Sequence, residues 1–217
     1  MLGVVGEQNA NCRWRVREPS GFSACYELAM TAPEEREKRL EEIEAAIRVY
    51  PDFPLKGVLF RDIFGVFRDA QLCEKLFSEL LSLVQEKVSQ THKIDAVVGL
   101  DARGFLFGPF ISAGLKCAFI PARKAGKLPG PCHSISYDLE YGKATLEIQH
   151  DALKRDDRVL LLDDLLATGG SLKACVDLVR KAGAIPVAAV VVMELVDLPG
   201  KSLLDGAHVP VFSLFRF

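Results

Sequence analysis

The sequence predicts an α/β fold: a doubly wound, mainly parallel sheet flanked by helices, with a flexible lid and hairpin. Three observations carry the prediction. The runs Ile94 to Leu100, Val159 to Leu162 and Pro186 to Met193 are near-continuously apolar and of strand length, as expected of strands covered on both faces. Segments with apolar residues at helical spacing lie between them, and strands alternating with helices build parallel crossovers. Two of the strands end in turns rich in Asp, Gly, Arg and hydroxyl residues, at the carboxyl ends where open α/β sheets place ligands.

At 217 residues the chain suffices for one sizeable core, and no repeat or low-complexity tract divides it. A net charge of −2 argues against a broad nucleic-acid footprint, and no apolar run approaches a membrane span. The six cysteines (Cys12, Cys25, Cys73, Cys117, Cys132, Cys175) show no C-x-x-C and no metal spacing, so a reducing compartment, the cytoplasm, is expected.

In chain order, residues 1–30 lack helical or strand periodicity and read as a poorly packed extension ahead of a domain over 31–217. Met30 at the domain start prompts the hypothesis of a shorter translation product. Thr31 and Glu34 form a capping box before a helix carrying Leu40, Ile43 and Ile47 on one side. Tyr50 to Phe67 reads as a loop feeding a short strand near Val58 to Phe60. Gln71 to Val88 is an amphipathic helix with Leu72, Leu76, Leu80, Val84 and Val88 aligned. Phe105 to Leu115 is the next helix, Lys116 to Pro121 the next strand, and RKAGKLPGPCHS a basic segment with the composition of a lid. Ser136 to Leu139 and Ala144 to Ile148 read as a hairpin with Glu140 and Tyr141 at its tip. A helix over Ser171 to Lys181 and a last strand near Val209 to Leu214 complete the pattern.

The chemistry concentrates in RVLLLDDLLATGGSL, Arg158 to Leu172. A strand-to-helix turn leaves backbone N–H groups unpaired at a positive helix end, which suits a phosphate. Thr168 and Ser171 add hydroxyls, Ala167, Gly169 and Gly170 complete the loop, and the glycines permit close approach. Asp163 and Asp164 just upstream suit vicinal hydroxyls, so a sugar phosphate fits better than a bare phosphate. Neither G-x-x-x-x-G-K-[ST] nor G-x-G-x-x-G occurs. The turn Asp101-Ala102-Arg103-Gly104 is a second anion site by the same physics, and a salt-bridged surface arginine is the alternative for Arg103. On its own Phe60 reads more readily as a core aromatic, and Glu140 as a solvent-facing carboxylate.

This motif resembles the phosphoribosyl-pyrophosphate (PRPP) motif of the type I phosphoribosyltransferases. Four more stretches agree in order: YPDFPLKGVLFRDI (50–63), GLDARGFLFGP (99–109), RKAGKLPG (123–130) and YDLEYGKATLEIQ (137–149). The resemblance spans Glu41 onward, is closest to the adenine-using members, and implies that Tyr50 to Phe67 form a small N-terminal hood over the base. It implies conversion of adenine and PRPP to AMP and pyrophosphate with Mg²⁺, in purine salvage, by a homodimer. Asp163 and Asp164 would hold the ribose hydroxyls and act on the metal only indirectly, with Mg²⁺ held mainly by substrate. Ala167 to Ser171 would take the 5′-phosphate. Asp101, Ala102 and Arg103, with a cis bond between the first two, would take pyrophosphate together with Arg123, Lys124 and Lys127. Leu59, Phe60, Arg61, Tyr141 and Leu165 would bind adenine, and Glu140 would be catalytic. Phe64-Gly65 departs from the family's small hydroxyl residue and proline. The alternatives are a non-catalytic PRPP-sensing regulator and an enzyme for another purine.

Overall fold

The computed structural model describes residues 33–138 and 143–217. Its centre is a seven-stranded sheet in the order β5-β6-β4-β3-β7-β8-β9, formed by β3 Ala96–Leu100, β4 Ala118–Lys124, β5 Cys132–Asp138, β6 Lys143–Gln149, β7 Arg158–Leu166, β8 Ile185–Glu194 and β9 Val211–Arg216. β4, β3, β7, β8 and β9 run parallel; β5 and β6 add an antiparallel hairpin at one edge. The expected fold class is therefore present, and the hairpin is the antiparallel part of this seven-stranded sheet.

Period-two alternation divides β7 between two cores. Val159 and Leu161 pack with α4 Gly170–Lys181 and α5 Gly200–Gly206 on one face. Leu160 and Leu162 face the opposite layer of α1 Pro33–Ala46, α2 Ala70–Val84 and α3 Gly104–Leu115. All four are fully buried, each contributing about 2 kcal/mol of apolar transfer. That double burial is why the run carries no polar alternation until Asp163.

Several boundaries differ from expectation for identifiable reasons. α2 starts behind Asp69, whose carboxylate accepts from the Gln71 and Leu72 N–H groups, and it passes into a single π turn, Gln85–Ser89. The loop expected over Tyr50 to Phe67 is largely structured. β1 Arg48–Pro51 pairs antiparallel with β2 Leu59–Asp62, and a 3₁₀ turn covers Ile63–Arg68. Two prolines and no long periodicity concealed a pair only four residues long. The departure at Gly65 has a packing reason: a Cβ there would lie 2.0 Å from the Ala46 carbonyl oxygen, so only glycine lets this turn close on the end of α1. Helix α5 went unforeseen because KSLLDG is too short for a periodicity signal.

β4 continues through Arg123 and Lys124, so those two cations belong to a strand paired with Glu147 and Leu146, not to the loop of the expected lid. The hairpin is longer than expected, with Asp138 opposite Lys143. Its tip, with Glu140 and Tyr141, lies outside the described residues, as do the extension and the Thr31 half of the capping box.

Candidate active site

β3 and β7 are adjacent parallel strands, so their carboxyl ends deliver both anion-type turns to one place. Between them opens a cleft of about 750 Å³, lined by Asp101 to Arg103, Lys124, Asp163 to Leu165, Ala167 to Leu172 and, from the hairpin, Tyr137 and Lys143 to Leu146. Two helices begin at its floor, and neither start has a side-chain cap. α4 follows Gly169 and α3 follows Arg103. α2, away from the cleft, is capped by Asp69. At α4 the first-turn N–H groups of Gly170 to Leu172 line the cleft and suit an external anion, whereas at α3 the Phe105 and Leu106 N–H groups donate to the Ala102 and Arg103 oxygens at 3.3 and 3.1 Å, so that helix of 12 residues offers the cleft its positive end and the Arg103 side chain.

The loop from Ala167 to Ser171 is held from behind. Gly169 sits at φ +82°, and a Cβ there would lie 2.8 Å from Gly200 Cα and 3.0 Å from the Gly200 oxygen. The Gly200 N–H donates to the Ala167 oxygen at 3.1 Å, and the Lys173 N–H to the Gly169 oxygen at 2.8 Å. Glycine at 169 therefore serves a left-handed backbone and close contact with α5, in addition to open access for the anion. Tyr137 Oη lies 3.2 Å from Ser171 Oγ and links the hairpin to this loop. Tyr137 and Lys143 are not singled out by the sequence, although both lie within the quoted hairpin stretch 137–149.

Asp163 and Asp164 lie in the carboxyl half of β7. Asp164 is 3% exposed, and its backbone N–H donates to Asp163 Oδ1 at 2.9 Å. Burial pushes the Asp163 carboxyl well above the usual range and the Asp164 charge adds to it; Asp164 is also raised by burial, with Arg103 opposing. Arg103 Nε stands 2.9 Å from Asp164 Oδ2 but is not aligned for a hydrogen bond, so among the described residues that buried oxygen has no hydrogen-bond partner. A buried acceptor in that state costs free energy that a ligand hydroxyl can recover. Arg103 is thus paired, but into the cleft and not on the surface.

The Asp101-Ala102 peptide is cis. Arg123 lies 3.4 Å from Asp101 Oδ2 and donates to the Lys127 oxygen at 3.0 Å. Neither Arg123 nor Lys127 lines the cleft, whereas Lys124 does. Leu59, Phe60 and Arg61 form β2 beside it. Phe60 is half-buried and outside both cores, edge-on to Phe53 at 5.0 Å, with the Arg103 guanidinium 5.5 Å from its ring centroid. Leu165 lines the cleft floor.

No cluster of three or more His, Cys, Asp or Glu side chains with metal geometry occurs among the described residues. Two adjacent carboxylates, one with an oxygen that is ion-paired to Arg103 but accepts no hydrogen bond, fit a hard cation that takes most of its oxygens from a substrate and only a few contacts from protein.

Residues 70–205 match the model of the phosphoribosyl transferase domain. The mouse (Mus musculus) adenine phosphoribosyltransferase is 45% identical over 183 residues, 83% of this chain and 98% of its own. The enzyme of that name from Bifidobacterium animalis subsp. lactis (strain AD011) is 49% identical over 158 residues, 73% and 80% of the two chains. Among solved structures, the Saccharomyces cerevisiae adenine phosphoribosyltransferase, complexed with an imino-altritol bisphosphate and adenine, superposes with a TM-score of 0.76 at 42% identity, covering 82% of this chain and 99% of that one. The chain belongs to the phosphoribosyltransferase family and groups within it with the adenine phosphoribosyltransferases.

Proposed function

We propose that this enzyme transfers the 5-phosphoribosyl group of PRPP to adenine, releasing AMP and pyrophosphate. The observation that carries the reading is the pair of uncapped helix starts flanking a buried aspartate pair in one cleft, which matches a ligand with two phosphate ends and a diol between them. In the reaction, a bond forms from adenine N9 to the ribose anomeric carbon, the bond from that carbon to the pyrophosphate oxygen breaks, and the N9 proton leaves. Positive charge grows on the ribose while negative charge grows on the leaving group, so fixed dipoles and cations on both sides lower the barrier.

Each group has a part in this reading. The N–H groups from Gly169 to Leu172 and the Thr168 and Ser171 hydroxyls bind the 5′-phosphate. Asp163 and Asp164 accept hydrogen bonds from the ribose hydroxyls. Arg103 and Lys124, with the Asp101-Ala102 turn, receive pyrophosphate. Phe60 stacks on adenine, Leu59 and Arg61 read its edge through their backbone, and Leu165 and Tyr141 complete the base site. Glu140 handles a proton at the purine ring. Mg²⁺, held mainly by PRPP oxygens near Asp163 and Asp164, would neutralise the leaving charge. The free thiols Cys73, Cys117, Cys132 and Cys175 are consistent with a reducing cytoplasm. The exposed Tyr50, Phe53 and Leu59 of the β1 and β2 unit are consistent with a second copy covering it in a homodimer.

The test mixes protein, PRPP and Mg²⁺ with adenine, hypoxanthine or guanine and follows nucleotide and pyrophosphate together. AMP from adenine alone is expected. PRPP binding without turnover would instead identify a PRPP sensor, and turnover of another base would move the substrate assignment.

A further inference from the structure

Successive side chains of a strand point to opposite faces, so β2 presents Phe60 to one side and Arg61 to the other. Each meets a partner from outside the β1 and β2 unit. The Phe60 ring lies under the Arg103 guanidinium at 5.5 Å, and the Arg61 guanidinium lies 3.6 Å from the centroid of the Phe217 ring. That second contact is close for a cation over an aromatic face. Phe217 is itself fixed: its N–H donates to the Glu194 oxygen at 2.9 Å, and its carbonyl accepts from the Val196 N–H at 2.8 Å. Its ring also stacks with Phe215 at 6.4 Å. Glu194 ends β8 and is held in turn, accepting from Ser213 Oγ at 2.9 Å. The contact therefore ties a short four-residue strand to the rigid end of the central sheet.

We propose that Phe217 is a positioning residue for base recognition: by supporting the Arg61 side chain it sets the height and tilt of β2, and with them the Phe60 ring and the backbone that reads the base edge. The inference rests on the base-site reading above and deepens it. A four-residue strand in a two-stranded pair has little stability of its own, so its position depends on what its side chains grip. A cation over an aromatic face shifts such an equilibrium by roughly 2- to 30-fold. Phe217 touches neither cleft nor phosphate loop, so its loss should appear in one substrate only.

The experiment measures adenine KM, PRPP KM and kcat for Phe217→Ala, Phe217→Leu, Phe217→Tyr, Arg61→Gln, the Phe217→Leu/Arg61→Gln double variant and Phe60→Ala. Expected for Phe217→Leu is an adenine KM raised about tenfold, with PRPP KM and kcat changed less than about twofold. Phe217→Tyr, which keeps the aromatic face, should behave as the native protein. The double variant should be no worse than either single one, because both remove the same contact. Should Phe217→Ala fail to fold, the leucine variant decides by itself. The proposal is overturned if adenine KM stays native in Phe217→Leu while it rises in Phe60→Ala, or if PRPP KM rises in parallel. If Phe60→Ala also leaves adenine KM unchanged, the base-site reading falls and this inference falls with it.

Discussion

Gly169→Ala is the sharpest probe of the proposed phosphate loop, because its cost divides between two measurable quantities. At φ +82° an L side chain costs about 1–2 kcal/mol of backbone strain. The new methyl would also lie 2.8 Å from Gly200 Cα and 3.0 Å from its oxygen, backbone atoms with no rotamer to change. Overpacking of that kind costs roughly 1–3 kcal/mol, giving about 2–5 kcal/mol together. If the loop keeps its native path, the strain lowers stability, and at roughly 2–4 °C per kcal/mol for this chain length Tm should fall by about 4 °C or more. If the loop or α5 moves instead, the α4 amides no longer converge on the phosphate. Some 2 kcal/mol of lost binding is then about thirtyfold in PRPP KM. Differential scanning fluorimetry gives the first quantity, and initial rates against PRPP at saturating adenine give the second. A variant with both Tm and PRPP KM at native values would refute the argument that α5 fixes this loop.

Other substitutions test other parts of the site and fold. Asp163→Asn should raise the Tm of the ligand-free protein while sharply reducing kcat/KM for PRPP. The folded-state carboxyl is held above its unfolded value, so its stabilising contribution is complete at acid pH and is lost as pH rises through the folded value. The asparagine variant should accordingly match the native Tm near pH 4 and exceed it increasingly above; a constant difference would contradict this. Asp95 is the opposite case, held well below the ordinary range by Lys93 and by the Arg158 N–H, which it accepts at 3.0 Å to join the starts of β3 and β7. Its contribution is present above the usual carboxylate range and disappears as pH falls toward the folded value. Asp95→Asn should therefore lower Tm at pH 7 by about 2–4 °C, equivalent to about 1 kcal/mol, with the gap closing in acid; an acid-independent gap would discount the ion pairs. A chain begun at Met30 retains every strand and helix described and should keep native Tm and kcat, and loss of either would show that residues 1–30 contribute to the fold.

The sequence by itself determined the layers and the two strand-to-helix turns that line the cleft. Leu160 to Leu162, buried on both faces, forced a central strand, and the glycine and hydroxyl turn after it marked the start of the next helix, because both signals are local. Leu72, Leu76, Leu80, Val84 and Val88 marked one helix face for the same reason. Only the tertiary structure decided what depends on distant residues. It placed Arg103 against Asp164 across 61 positions, Tyr137 against Ser171, Gly200 behind Gly169 and Phe217 under Arg61. It also took Phe60 out of the core and moved Arg123 from a lid to a strand that pairs with Asp101. Periodicity reports which face of an element is apolar, whereas the pairing of polar and aromatic groups follows from which strand ends the sheet order brings together.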